Sequence, residues 1–99
     1  MKYSFKNRSL VEADLIIAIE HYKEINPELA KEFLLRIREA KKYIAQTPLG
    51  FQLRYKDVRT ISLKKFPYLI HYLVNDNEMQ IVILAIIHSY KDPKDYSNR

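Results

Sequence analysis

The chain has 99 residues, a length typical of one domain with a single hydrophobic core. Its apolar fraction of 47% and charged fraction of 29% indicate a folded globular protein and exclude disorder as the main state. Cysteine is absent, which excludes disulfides and cysteine zinc sites and favours a reducing, cytoplasmic environment. Because neither a signal peptide nor a membrane-length apolar run is found, we predict one domain over residues 1–99 without membrane association.

The formal net charge is +5, and the excess of basic side chains is uneven along the chain. Residues 52–65 carry five basic side chains and one acidic side chain. A local positive field favours a polyanion or an acidic protein partner. The solvated face of an ordinary basic protein would have the same composition, and charge alone leaves both interpretations open.

Apolar periodicity predicts a strand over residues 1–6 and then two helices. Ser9 and Glu12 have the spacing of a capping box at the start of the first helix. Asn26 followed by Pro27 predicts the start of the second helix, and Thr47-Pro48 predicts its end. Each helix carries one apolar stripe: Val11, Leu15, Ala18, Tyr22 and Ile25 on the first, and Ala30, Phe33, Ile37, Ala40 and Ile44 on the second. The short joint predicts an antiparallel hairpin.

After Gly50 the apolar period changes from 3.6 to 2, which predicts strands over 58–63, 68–74 and 79–87. Asn75-Asp76-Asn77 is turn chemistry that joins the last two strands into a hairpin. The predicted fold class is therefore α+β, with an N-terminal strand and an antiparallel helical hairpin packed on a small, mainly antiparallel β-sheet.

Two segments carry more apolar side chains than this fold needs. Ile16, Ile17 and Ile19 widen the apolar arc of the first helix, and the last strand is apolar at both parities. We expect Ile16, Ile19 and, on the last strand, Ile83 to be covered by a second element or by a partner protein.

Arg59 has the parity of Ile61 and Leu63 on its predicted strand, so a charged group lies on the core side. Such an arginine either reaches water at the sheet edge or lines a concave site, where its planar guanidinium binds a phosphate or carboxylate.

His88 ends the last predicted strand, where parity groups it with Val82, Leu84 and Ile86. It is either a packed, hydrogen-bonded side chain or a general acid or base. The three histidines lie on different elements, and a glycine-rich phosphate loop is absent. We therefore expect neither a metal nor a small-molecule cofactor.

Several local patterns are similar to those of the RelE/ParE superfamily of bacterial toxins. They include Ala13-Asp14-Leu15 on the first helix and a series in the sheet region: Val58-Arg59, Phe66-Pro67-Tyr68 and Ala85-Ile86-Ile87-His88, with Asp92-Pro93 beyond. The order of a strand, a helical hairpin and three strands also resembles this superfamily.

The resemblance implies the toxin of a type II toxin–antitoxin pair, neutralised by a small cognate antitoxin. ParE-like members, the plasmid stabilisation proteins, inhibit growth by poisoning DNA gyrase through protein contact, and the pattern leans to this side. RelE-like members are instead ribosome-dependent mRNA endoribonucleases. A decayed toxin with the fold and no activity is the third alternative.

Under the nuclease alternative, the resemblance implies that Arg59 holds the phosphate and that His88 is the catalytic histidine. It also implies that Arg54 and Lys56 bind the RNA backbone. Tyr96 lies where family members carry an aromatic residue, and we group it with Arg54 and Lys56 as a residue that binds RNA or another target.

Overall fold

The computed structural model describes residues 3–89, which form two helices and five strands. The predicted α+β class and the helical hairpin are confirmed. In chain order the elements are β1 (Ser4–Asn7), α1 (Val11–Ile25), α2 (Pro27–Gln46), β2 (Leu53–Tyr55), β3 (Val58–Ser62), β4 (Tyr68–Asn75) and β5 (Gln80–His88).

Helix α2 follows its sequence signals closely. The Asn26 side-chain oxygen accepts a hydrogen bond from the Glu28 N–H at 3.0 Å, with Pro27 in the first turn. The helix ends at Gln46, immediately before Thr47-Pro48. Every residue of its predicted stripe is buried: Ala30, Phe33, Ile37, Ala40 and Ile44.

Helix α1 departs from its sequence signals at both ends. The predicted capping box is wrong, because Leu10 occupies the N-cap and no side chain caps the helix. A turn in which the Val11 N–H donates to the Arg8 carbonyl at 3.1 Å precedes the helix instead. At the other end Ile25 is exposed rather than buried, since the chain turns there into α2 before the stripe is completed.

The strands form one sheet in the order β1-β5-β4-β3-β2. Strand β1 pairs in parallel with β5, and the other neighbours are antiparallel. The predicted β4–β5 hairpin is confirmed, with the Glu78 N–H donating to the Asn75 side chain at 3.2 Å. Strand β2 was not predicted; its three residues pair only with the start of β3.

A β-bulge in β5 overturns the parity that grouped His88 with Val82 and Leu84. Tyr72 faces Ile83 while its neighbour His71 faces Ala85, so Leu84 is an extra residue on β5. The extra residue reverses the alternation of side chains beyond it. As a result, the helix-facing residues of β5 are Ile81 and Ile83 before the bulge and Ile86 and His88 after it.

The main core lies between the helices and one face of the sheet, with Phe33, Ile44, Ile70 and Tyr72 completely or almost completely buried. On the opposite face, Ala85 and Ile87 form a second buried cluster with Tyr55 of β2 packed against it. Strand β5 is thus buried on both faces, as its apolar sequence predicts.

Candidate functional site

The α2–β2 connection forms a tight loop at one corner of the sheet. We call residues 47–52 the basal loop. The Gly50 N–H donates to the Thr47 carbonyl at 3.0 Å, which closes a turn with Pro48 and Leu49 at its centre. Gly50 is the chain's single glycine, and a β-carbon there would lie 3.1 Å from the Thr47 β-carbon. The turn therefore brings the backbone too close to Thr47 for a side chain to fit easily.

Two side chains of the sheet anchor the basal loop by its carbonyl oxygens. Arg59 Nη1 donates to the Phe51 carbonyl at 2.6 Å, and the Tyr72 hydroxyl donates to the Pro48 carbonyl at 2.9 Å. Arg59 and Tyr72 are cross-strand partners on β3 and β4. Burial raises the pKa of Tyr72 to about 12, so its hydroxyl stays protonated and donates throughout the neutral range.

Arg54 and Lys56 lie beside this corner, as expected for a positively charged surface. Arg54 is exposed on β2, and Lys56 is exposed in the β2–β3 turn with a positive φ of 49°. Leu53 of β2 pairs with Arg59 of β3. Arg54 and Lys56 therefore belong to the segment that runs beside Arg59.

His88 lies at the other end of the sheet, against an aromatic cluster. Its ring contacts Tyr68 edge-on, with the centroids 5.5 Å apart, and Tyr68 in turn packs on Tyr22 and Phe33. Burial raises the pKa of Tyr68 and of Tyr22, so neither phenol is a base at neutral pH. His88 thus contacts the edge of this aromatic cluster through Tyr68.

Arg59 and His88 are not brought together. Arg59 on β3 pairs with Tyr72 of β4, and His88 on β5 pairs with Tyr68 of β4. The two partners lie four positions apart on β4, and β3 and β5 flank β4 on opposite sides. With a strand rise of about 3.4 Å and a spacing of about 4.8 Å, their α-carbons are roughly 16 Å apart. Each side chain is turned to its own partner, Arg59 to the Phe51 carbonyl and His88 to the Tyr68 ring.

The residues expected to meet a partner protein have different environments. Ile16 is 53% exposed, whereas Ile19 is half-buried against the core. Ile83 is completely buried beneath the helices, so of the two covers expected for it the structure gives the chain's own elements, and the residue has no surface to offer a partner. Instead, Ile17, part of the same sequence surplus, is 69% exposed, and Leu10 is also exposed. We call Leu10, Ile16 and Ile17 the α1 outer surface.

Asp14, which sequence reasoning did not assign to any contact, ties α1 to the sheet. Strand β1 pairs with β5 only as far as Ile83, and beyond it the Asp14 carboxylate accepts the Ile86 N–H at 3.2 Å. The carboxylate thus replaces a neighbouring strand at this point of the edge. The sequence around Asp14 gives no signal for this contact, because only the strand order shows that the Ile86 N–H lies near α1.

A charged network joins α2 to the β3–β4 connection. Glu32 Oε2 lies 3.1 Å from Arg36 Nη2 and 3.0 Å from Lys65 Nζ. Arg36 Nη1 also lies 3.4 Å from Glu39 Oε2. The hydrogen bond from Lys65 and, to a smaller extent, the one from Arg36 lower the pKa of Glu32 below its ordinary value. Lys65 therefore belongs to this network as well as to the basic segment.

The remaining sequence predictions concern ligands and membranes. Tyr96 lies outside the described residues. Within residues 3–89 no group of three metal-ligating side chains is found. Within the same residues, neither helix is long and apolar enough to cross a membrane.

Comparison with known proteins points to one family. A family model described as "ParE toxin of type II toxin-antitoxin system, parDE" matches residues 7–93. The search of curated proteins gives no match. Among solved structures, a chain of the chromosomal ParDE toxin–antitoxin system from P. aeruginosa is 29% identical, with a TM-score of 0.73 over 87% of this chain and 95% of that one.

Two more distant structures share the fold. One is the toxin–antitoxin complex RelBE2 from Mycobacterium tuberculosis, with 17% identity, a TM-score of 0.57 and coverage of 89% of this chain and 92% of that chain. The other is a double arginine-to-alanine mutant of E. coli toxin RelE in the free state. It has 14% identity and a TM-score of 0.58, and the match covers 91% of this chain and 86% of that chain.

Proposed function

The chain belongs to the ParE toxin family of type II toxin–antitoxin systems, and from this membership we propose that it arrests growth by binding DNA gyrase. In this proposal the toxin acts by protein contact in the cytoplasm and catalyses no reaction. Its cognate antitoxin neutralises it.

The separation of Arg59 from His88 is the observation that carries the non-enzymatic mechanism. Ribonuclease chemistry requires a base for the ribose 2′-hydroxyl, an acid for the leaving oxygen and cations for the developing charge, all around one phosphate. Arg59 is bound to the Phe51 carbonyl, and His88 packs against Tyr68 at the opposite end of the sheet. This arrangement favours structural roles for both side chains and therefore supports the gyrase mechanism over mRNA cleavage.

The similar solved structures include toxin–antitoxin complexes, which supports an antitoxin as the partner. We place its contact on the α1 outer surface, where the consecutive residues Ile16 and Ile17 are both exposed. An antitoxin segment that covers these side chains would remove apolar area from water, a favourable change of about 25 cal/mol for each Å². This contact accounts for the surplus of isoleucine on α1.

Two assays with the purified toxin separate the mechanisms. Incubation with gyrase and plasmid DNA should give gyrase-linked DNA breaks or a loss of supercoiling. Incubation in a translation extract should leave mRNA uncut. Intact supercoiling together with cleavage of ribosome-bound mRNA would refute the gyrase mechanism and establish the RelE-like alternative.

His88→Gln sharpens this test, because glutamine keeps a polar side chain that cannot exchange a proton near neutral pH. A general acid or base contributes roughly 10²–10⁴-fold to a reaction rate. We expect the variant to act on gyrase at the wild-type level. A nuclease activity that falls by that factor in the variant would make His88 catalytic.

A further inference from the structure

The basal loop and the neighbouring strand β2 form a corner of the sheet, which we call the basal corner. It carries apolar side chains that are not buried in the core. Leu49, at the tip of the basal loop, is 53% exposed, and Leu53, at the start of β2, is 50% exposed. Between them, Phe51 turns inward and packs against the core. Two exposed leucines thus lie on either side of a partly buried anchor and place apolar area on this corner that a partner could cover.

The segment that carries these leucines is held in place from several directions. The Tyr72 and Arg59 side chains bind the Pro48 and Phe51 carbonyls. The Thr47 hydroxyl donates to the Tyr43 carbonyl at 3.3 Å and fixes the loop to the end of α2. A surface ordered before binding loses little conformational entropy when a partner docks, which increases affinity without any added contact.

The charge beside the leucines indicates the chemistry of the partner. Arg54 and Lys56 are exposed in the next few positions, and Asp57 is the sole acidic residue of the segment 52–65. Leucine offers no ring on which a nucleic-acid base could stack, whereas aliphatic side chains with a cationic rim are suited to a protein surface. Charge complementarity then requires that surface to be acidic around an apolar centre.

We propose that Leu49, Leu53, Arg54 and Lys56 form the surface by which the toxin binds its protein target, and that the target presents an acidic, apolar patch. Arg59 and Tyr72 are positioning residues that hold this surface in shape. This inference rests on the proposed function and names the part of the toxin that performs it. The surface lies at the β2–β3 edge of the sheet, whereas the α1 outer surface belongs to the helix tied to β5, at the other side.

The test uses the double variant Leu49→Ser/Leu53→Ser and a matched control, Leu35→Ser. Leu35 is a leucine of α2 with a similar exposure of 55%, outside the basal corner. We expect the double variant to lose about tenfold or more of its gyrase-linked DNA breakage, since both apolar side chains at the centre of the proposed interface become polar at once. The control should stay within about twofold of wild type. Both proteins should melt like wild type and co-purify with the antitoxin.

Two further variants test the charge and the anchoring. Arg54→Glu/Lys56→Glu should weaken breakage most strongly at low salt, because the attraction to an acidic patch is screened as salt rises. Tyr72→Phe leaves all four surface side chains in place and removes a loop anchor. It should reduce breakage about threefold while the Leu35→Ser control is unaffected, as expected for a preorganised surface.

The outcomes separate this inference from the function on which it rests. If wild-type toxin causes no gyrase-linked breaks, the gyrase mechanism itself is wrong. If wild type is active and the double leucine variant is equally active, the basal corner is not the target surface. The inference would also be overturned if only the Arg54→Glu/Lys56→Glu variant lost activity and this corner of the wild-type toxin formed crosslinks to nucleic acid.

Discussion

The two helices of this toxin use their apolar residues differently. On α2, every member of the apolar stripe is buried in the core. On α1, only Val11 and Ala18 are completely or almost completely buried, and Ile16, Ile17 and Ile25 remain exposed. The two helices pack against each other and on one face of the same sheet, α1 against β5 and α2 against β3.

Under the proposed function, this difference arises because α1 faces both the chain's own core and the antitoxin. The apolar stripe of α2 is explained by the chain's own core, and its polar side contacts the β3–β4 connection, while Leu35 and Tyr43 lie outside the stripe and are exposed. Helix α1 is explained only in part by the core, and in the proposed function the antitoxin covers its outer surface. Substitutions on α2 should therefore mainly alter folding stability, whereas substitutions on the outer side of α1 should mainly alter antitoxin binding.

The largest expected effect is on α2. Phe33 is completely buried and its ring packs on Tyr22, Phe66 and Tyr68. Phe33→Ala should lower the free energy of unfolding by about 3–5 kcal/mol, because it removes apolar contacts and leaves a cavity. Urea denaturation followed by circular dichroism measures this change. A loss below about 1 kcal/mol would mean that the aromatic cluster is not a structural centre of the protein.

The matching change on α1 is the double variant Ile16→Ser/Ile17→Ser. Its free energy of unfolding should change by less than about 1 kcal/mol, because both side chains are already exposed. Its antitoxin affinity should fall by about 30-fold or more, since two apolar contacts are lost at once. Isothermal titration with the antitoxin measures the loss. Unchanged affinity would place the antitoxin elsewhere and remove the distinction between the helices.

Local rules were sufficient for α2 and insufficient for α1. Asn26, Pro27 and the Thr47-Pro48 pair fix the ends of α2 through their own backbone chemistry. The start of α1 is instead set by the way the chain leaves β1, which depends on pairing with β5, some 75 residues away in sequence. The capping box of Ser9 and Glu12 was therefore a valid local pattern that tertiary structure overrode.

The candidate site shows the same limit. Sequence parity correctly placed Arg59 on the core side of the sheet, since Arg59 pairs with Tyr72, whose side chain lies in the core. It grouped His88 correctly with Ile86 but wrongly with Val82 and Leu84, because one extra residue at Leu84 reversed the alternation. The hydrogen bond from Arg59 to Phe51 had no sequence signal, as the basal loop folds back onto the sheet only in three dimensions. Strand order and bulges, which arise from long-range pairing, carry this missing information.

A third prediction concerns the contact that holds α1 in place. Asp14→Ala removes the acceptor for the Ile86 N–H, which is left without its partner at the edge of β5. We expect a loss of about 1–2 kcal/mol in unfolding free energy, because the unsatisfied donor adds to the lost hydrogen bond. Hydrogen exchange at the Ile86 amide should accelerate as well. Protection of this amide that equals wild type would show that α1 is held by packing alone.

The smallest expected effect lies on the polar side of α2 and depends on pH. Lys65 and Arg36 hold the pKa of Glu32 below its ordinary value of 4.5, so the folded state favours the charged carboxylate. This contribution to stability is fully present above pH 4.5 and is lost as the pH falls through the lowered pKa. Glu32→Gln should therefore lower the melting temperature slightly at pH 7 and leave it nearly unchanged at about pH 3.

The measurement is the melting temperature of wild type and Glu32→Gln at both pH values, at low salt and at about 0.5 M salt. Partly exposed charges are screened, so the pH 7 difference should shrink at high salt. Glu28→Gln is the matched control, because Glu28 contacts an exposed lysine of its own helix only and does not join α2 to the sheet. Equal effects of the two substitutions would mean that the Glu32 network adds nothing beyond an ordinary surface ion pair, and that α2 depends on its apolar face alone.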